Sequence, residues 1–156
     1  MSETKTISLD SPEILKYAQH FFKDILEFLQ GAKFEFDETQ KVVFAEGWVK
    51  YNSTYPPTQN HTVGENGSII VPGFMLDESA ARLLTLAQIL SGYTELPRLA
   101  EKEKIPYKYK VVPNEELYIQ LTNFRRRGSL VKINYEVNTL HGKVFVTSGT
   151  LTGIGE

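Results

Sequence analysis

Residues 71–90, VPGFMLDESAARLLTLAQIL, form a long apolar stretch with the composition of a helix, and the remaining chain has to be organised around it. Pro72 suits a first helical turn, where its missing N–H has no intrahelical partner to lose. Gly73 leaves the backbone open to close approach. A helix this apolar is buried as a rule, yet its first turns carry two adjacent acids, Asp77 and Glu78. Carboxylates are costly to bury unless something pairs with them or uses them. The two acids therefore mark either a partly exposed helix start or the chemistry of the protein.

Upstream of the helix, residues 52–68, NSTYPPTQNHTVGENGS, are rich in Asn, Pro, Gly and Ser and show no periodicity. A loop of this length inside a small domain is functional or disordered. Before it, KVVFAEGWVKY (41–51) reads as a strand bent near Gly47, preceded by a turn at Asp37–Gln40 and a first strand at Lys33–Phe36. Residues 10–30 read as an amphipathic helix. Asp10 and Glu13 supply a capping box, Pro12 fits the first turn, and Ile14, Ala18, Phe21, Phe22, Ile25 and Leu29 recur at helical spacing before Gly31.

Downstream, residues 94–104 read as a charged connection with room for a helical turn. Four strand-like runs follow, at 107–112, 116–124, 129–137 and 143–154, joined at Pro113-Asn114, Arg126–Gly128 and Asn138–Gly142. Leu117, Ile119 and Leu121 alternate with Tyr118, Gln120 and Thr122, and Val131, Ile133, Tyr135 and Val137 alternate with Lys132, Asn134 and Glu136, the pattern of strands buried on one face. The expectation is an α+β fold in one domain spanning 1–156, an antiparallel sheet wrapped around a central helix at 72–92, with an extra N-terminal helix at 10–30.

Composition narrows the partners. The chain has 156 residues, 41% hydrophobic and 23% charged, with a formal net charge of -2. That balance argues against nucleic acid, which needs a basic face. With no cysteine, disulfides, thiolate catalysis and Cys-based zinc sites are excluded. The N-terminus, MSETKTISLD, has no apolar signal core and no run is long enough to cross a bilayer, so the expected setting is cytoplasmic, without a membrane partner. The Asn-x-Ser/Thr triplets at Asn52, Asn60 and Asn66 then read as coincidence.

Of the three histidines, His20 falls among apolar residues of the N-terminal helix and His141 in a tight connection, where structural roles are expected. His61 lies in the long loop that leads into the helix with Asp77 and Glu78. Histidine carries protons near neutral pH, and a carboxylate in an apolar pocket has its pKa raised toward a useful value. The free amides and positive dipole end at Pro72-Gly73 can polarise a carbonyl oxygen, or can be a plain helix start.

In this order the motifs resemble the hotdog-fold 3-hydroxyacyl-acyl-carrier-protein dehydratases of fatty acid synthesis. His61-Thr62-Val63-Gly64 is similar to the family's His-x-x-Gly, Val71-Pro72-Gly73 to its hydrophobic-Pro-Gly element, and Glu78 falls at its acid, six residues after the proline. VVPNEEL (111–117), RRRG (125–128) and GKVFVTSGTLTGI (142–154) resemble its C-terminal half, so the likeness covers about residues 33–154. This chain has three more residues between Gly64 and Pro72 than the motif, and lacks its proline. Two registers follow: one with Glu65-Asn66-Gly67 inserted, which keeps His61 as the base, and a rigid one that puts Gly64 in the histidine's place. The first is preferred, because an Asn-Gly turn is an easy bulge.

The resemblance implies elimination of water from a (3R)-3-hydroxyacyl thioester to give the trans-2-enoyl thioester. His61 would take the C2 proton, Glu78 would protonate the departing hydroxyl, and the Gly73 amide would hold the thioester carbonyl beside Val71, Pro72 and Phe74. It implies no metal or redox cofactor, a carrier-protein or CoA thioester as substrate, and a homodimer, open to further assembly, whose sites draw histidine and acid from different subunits. Arg125, Arg126 and Arg127, with Lys108 and Lys110, would then form either a docking patch for an acidic carrier protein or a solvated hairpin tip. Arg82, one turn beyond Glu78, would hold that acid ionised if the two pair. Two alternatives stay open: a hotdog thioesterase using Asp77 or Glu78, and an acyl-binding hotdog protein whose catalytic site has degraded.

Overall fold

The computed structural model describes residues 3–7, 12, 29–51, 62–63, 69–70, 73–92, 97–102, 111–112, 114–128, 130–139 and 142–153. At some of these, Asp77, Glu78 and Arg126 among them, the backbone alone is described. A seven-stranded sheet holds β1 (Glu3–Ile7), β2 (Leu29–Phe36), β3 (Val42–Lys50), β6 (Pro97–Lys102), β7 (Glu116–Arg127), β8 (Leu130–Thr139) and β9 (Gly142–Gly153) in the order β1-β2-β3-β7-β8-β9-β6. All its pairings are antiparallel. A short hairpin, β4 (Thr62–Val63) and β5 (Ile69–Ile70), precedes the helix α1 (Gly73–Leu90).

The period-2 alternation does what one-sided burial requires. Phe34, Ala45, Val49, Ile119, Leu121, Val131 and Val137 are buried on one face, against Leu76, Ala80, Leu83, Leu84 and Ala87 of α1. Helix and sheet come closest at Gly47. A side chain there would put its Cβ 2.8 Å from Leu29 Cδ1 and 3.2 Å from Leu83 Cδ2. The glycine expected to bend β3 is therefore needed for the approach of the helix, and the pairing of β3 with β7 runs unbroken through it.

Both ends of β3 hold the helix. At its start, Lys41 Nζ donates to the Ser91 carbonyl (2.8 Å) and the Val42 amide to Ser91 Oγ (2.9 Å), satisfying groups at the helix C-terminus, where a cation also suits the dipole. Gly92 follows with φ of 88°, the left-handed residue that stops the helix as its sequence position predicts. At the far end, the Tyr51 and Ser79 hydroxyls share a buried hydrogen bond of 2.5 Å. The turn between β2 and β3 is closed by Asp37, whose carboxylate accepts from the Thr39 amide (2.9 Å), the Thr39 hydroxyl (2.7 Å) and the Lys41 amide (2.9 Å).

Several expectations are corrected. Leu29 and Gln30, expected to finish the N-terminal helix, open β2 instead, and Gly31 continues it. Leu29 is fully buried at the Gly47 contact, so core packing outweighs its helical spacing. Pro12 is helical, and the rest of 10–28 lies outside the described residues. The segment at 94–104 contains edge strand β6, where charged residues and a leading proline are at home. Val111 and Val112 belong to no strand, and 107–110 lie outside the described residues. Strand β1, unanticipated, pairs along the outer edge of β2. No helix among the described residues is long and apolar enough to cross a membrane.

Two outcomes follow. Gly47→Val should cost about 1–3 kcal/mol in a urea unfolding titration, because two packed leucines must yield to it. The hydrogen bonds to Asp37, led by the Lys41 amide, hold its carboxyl below the ordinary 3.8. A lowered carboxyl contributes stability above its unfolded pKa and loses it as pH falls through the folded value. Thermal melts of wild type and Asp37→Ala should therefore differ at neutral pH and converge in acid below that ordinary value.

Candidate functional site

The direction of α1 follows from its three contacts with β3. Ser91 meets Lys41 and Val42, Leu83 lies over Gly47, and Ser79 meets Tyr51. The helix N-terminus therefore lies toward the end of β3, where Tyr51 leads into the long loop. The Asn114 amide, in a left-handed turn residue (φ 68°), donates to the Tyr51 carbonyl at 2.6 Å and fixes that end further. The loop returns through β4 and β5, whose register pairs Thr62 with Ile70 and Val63 with Ile69. In sequence, Glu65-Asn66-Gly67, the insertion of the preferred register, falls between these two paired strands.

Gly73 is the first residue of α1, Phe74 its second and Glu78 its sixth. His61, Val71 and Pro72 lie outside the described residues. In sequence His61 directly precedes the Thr62–Ile70 pair, and Val71-Pro72 directly bridge it to the helix. The first four amides of a helix have no intrahelical acceptor, and the dipole adds partial positive charge there, so Gly73 opens a backbone site suited to a carbonyl oxygen or anion.

Around the helix, Glu78, Arg82, Thr85 and Ile89 recur at steps of four, three and four residues and form one stripe. It lies roughly half a turn from Leu76, Ala80, Leu83 and Ala87, which meet the sheet. Arg82 is only 8% exposed and Thr85 only 4%. Arg82 and Thr85 thus place buried polar groups on the side of α1 turned from β3. Arg82 is engaged within the fold, although its Nε has no hydrogen-bond partner. Thr85 Oγ1 donates to the Ala81 carbonyl at 2.9 Å, a local bond that leaves the stripe's polarity in place.

The basic residues are positioned by a bulge. Asn123 and Phe124 stand opposite Ile133 alone, with Asn123 at φ 55°, so the register slips between Thr122 and Arg125. That slip reverses the facing of β7: Arg125 pairs with Lys132 and Arg127 with Leu130, and all four are exposed. Without it, odd-numbered residues of β7 would continue inward with Leu117, Ile119 and Leu121. Arg126 and Arg127, expected in the connection, are strand residues, and the turn starts at Gly128. Lys108 and Lys110 lie outside the described residues.

Sequence reasoning missed Tyr51 and Ser79, which join the end of β3 to the helix turn beside Glu78. It also missed a cavity of about 220 Å³ on the opposite face of the sheet, bordered by Gly31, Trp48, Glu116 and Tyr118. Among the described residues no three His, Cys, Asp or Glu side chains gather as a metal site would require.

No protein-family profile and no curated protein matches the chain. In solved structures its fold is similar to that of the E. coli PaaI protein from the phenylacetic acid degradation operon, with a TM-score of 0.61 at 11% identity over 92% of this chain and 91% of that one. The dehydratase heterocomplex ApeI:P of Xenorhabdus doucetiae gives 0.57 at 11% identity, over 72% of this chain and 76% of that one. A hypothetical thioesterase protein of Streptococcus pneumoniae, solved with coenzyme A, gives 0.57 at 13%, over 76% and 87%. These likenesses are of architecture, and they agree with the strand order: the chain adopts the hotdog fold.

Tyr51→Phe should destabilise the protein by about 0.5–1.5 kcal/mol, since it removes a buried hydrogen bond between β3's end and the helix. A urea double-mutant cycle with Ser79→Ala should return part of that loss, as expected for directly coupled partners.

Proposed function

We propose that the protein binds an acyl thioester at the N-terminus of α1 and removes water from its 3-hydroxyacyl group. The observation that carries this reading is the β4–β5 pairing. Because the additional residues fall within the hairpin connection, they leave His61 next to the paired end that leads into Pro72-Gly73. Gly64, by contrast, follows Val63 in sequence and so lies beyond the paired residues. The pairing thus supports the register in which His61 is the base.

In this reading the Gly73 amide receives the thioester carbonyl and stabilises the enolate-like charge that develops on it. His61 takes the proton from C2. Glu78, protonated, gives its proton to the C3 hydroxyl, the C3–O bond breaks, and water leaves with the trans-2-enoyl thioester formed. Val71, Pro72 and Phe74 flank the acyl group. A two-fold dimer, with the partner subunit's Glu78 completing each site, belongs to the proposal, and β6, the last strand in the sheet order, offers an edge for such pairing. A CoA carrier is favoured by the coenzyme A bound to the pneumococcal structure of similar fold. The outward cluster of Arg125, Arg127 and Lys132, with Arg126 between them in the strand, would attract CoA phosphates or an acidic carrier protein.

One observation favours a second chemistry. Arg82 is buried on Glu78's stripe, one turn away, and a guanidinium there favours an ionised carboxylate. An ionised Glu78 suits activation of water, or attack on the thioester, better than proton donation, and the product would then be a free acid and thiol.

Incubation with a 3-hydroxyacyl-CoA separates the two: enoyl absorbance marks dehydration, and free thiol without it marks hydrolysis. His61→Ala and Glu78→Gln should each lower the dehydration rate by about a hundredfold or more. Full rate in both variants would overturn the site assignment.

A further inference from the structure

We infer that the cavity on the outer face of the sheet, bordered by Trp48, Tyr118 and Glu116, binds a small organic cation, a quaternary ammonium head of the choline kind. This face is turned away from α1, so the inference does not rest on the acyl-thioester reading above. A bulge builds the site. Gln30 is an extra residue between Leu29, which pairs with Val49, and Gly31, which pairs with Trp48. Leu29 and Ala32 both stay buried, and Gly31 is left on the outer face beside Trp48. The six-membered ring of the indole lies where a side chain of Gly31 would stand: a Cβ there would be 3.0 Å from Trp48 Cε3 and 3.4 Å from Cζ3. Trp48 therefore leans toward β2, away from Tyr118, its cross-strand neighbour on β7. Both aromatic residues are half-buried and border the cavity of about 220 Å³. Glu116, two residues from Tyr118 and so on the same face, borders it as well and is exposed.

Volume limits the occupant. The cavity exceeds the roughly 150 Å³ that admits a benzene ring and falls short of the roughly 300 Å³ at which pockets for drug-sized molecules begin. It has room for one compact group. Charge then selects the kind. Among the described residues that border the cavity Glu116 alone is charged, and an ionised carboxylate accepts hydrogen bonds but donates none. Indole and phenol faces carry negative potential and attract cations, indole most strongly. An anion would meet a carboxylate and two such faces, and a neutral apolar group would leave Glu116 unused. Glu46, two residues before Trp48, adds negative charge on the other side of the aromatic pair while accepting from Gln120 Nε2 at 2.6 Å. Lys33 stands opposite Glu46 and Lys50 opposite Glu116 in the ladder, but neither borders the cavity. Exposed lysine–carboxylate pairs are weak, so Lys50 is a poor competitor for a cation that also gains the ring faces.

Trp48 is the single tryptophan of the chain, so intrinsic fluorescence reads this site directly. The test titrates choline, and separately its neutral isostere 3,3-dimethylbutan-1-ol, into the full chain. Choline should give a saturable change in Trp48 emission and bind about fivefold or more tighter than the isostere. Glu116→Gln, a change of charge at an exposed position, should cut that advantage to about twofold and leave the affinity for the isostere as it was. Tyr118→Leu, which removes one ring, should lower the advantage in the same way. No saturable response to choline, equal affinities for the two probes, or an advantage unchanged in both variants would overturn the inference. Neither probe is a thioester, so failure of the proposed reaction leaves this result standing, and failure here leaves the reaction standing.

Discussion

The packing of α1 along β3 is the constraint on which the rest of the molecule depends. A strand residue without a side chain, Gly47, lets Leu83 and Leu29 meet above the sheet, and polar contacts hold the helix on either side of that point. Ser91 is held by Lys41 and Val42, and Ser79 by Tyr51. An apolar helix on an apolar sheet could slide or rotate at little cost, because dispersion and burial are not directional. Directional hydrogen bonds at two levels of the helix fix its height and azimuth. That is what makes the position of its first amides, and of the stripe carrying Glu78 and Arg82, a property of the fold.

The same arrangement explains how one helix serves two environments. Its sheet-facing stripe is leucine and alanine, and closes the core. Its opposite stripe includes the buried Arg82 and Thr85, and burying an arginine costs more than burying a leucine. The exposed cations of β7 and β8 are separate from this stripe: a bulge at Asn123 turns Arg125 and Arg127 to the outer face, where they join Lys132.

Much of this was legible in the chain. The alternation in β7 and β8, the Asp37–Gln40 turn, the Pro72-Gly73 helix start and the Gly92 stop are local signals, and each has a local physical cause. What could not be read locally was set by distant partners. Leu29 fits a helical period, but a strand position under Leu83 buries it completely. The segment holding PRLAEK looks like a connection until it lies along β9 as an edge strand. The facing of Arg125 depends on a one-residue slip that no periodicity announces. In the candidate site, the Pro-Gly pair announced the helix start at Gly73, while the pairing of Thr62 with Ile70 is a hairpin register that no motif fixes. Tyr51 and Ser79, distant in sequence, carried no motif at all.

The central claim is that the first turn of α1 receives the thioester. Amide NMR shifts of the full chain, followed while a non-cleavable acyl-CoA thioether is titrated in, test it most directly. The account predicts the largest changes at Gly73 and Phe74, with Thr62 and Ile70 of the neighbouring hairpin responding with them. Changes confined to the opposite face of the sheet, around Gly31 and Trp48, with Gly73 unmoved, would contradict it.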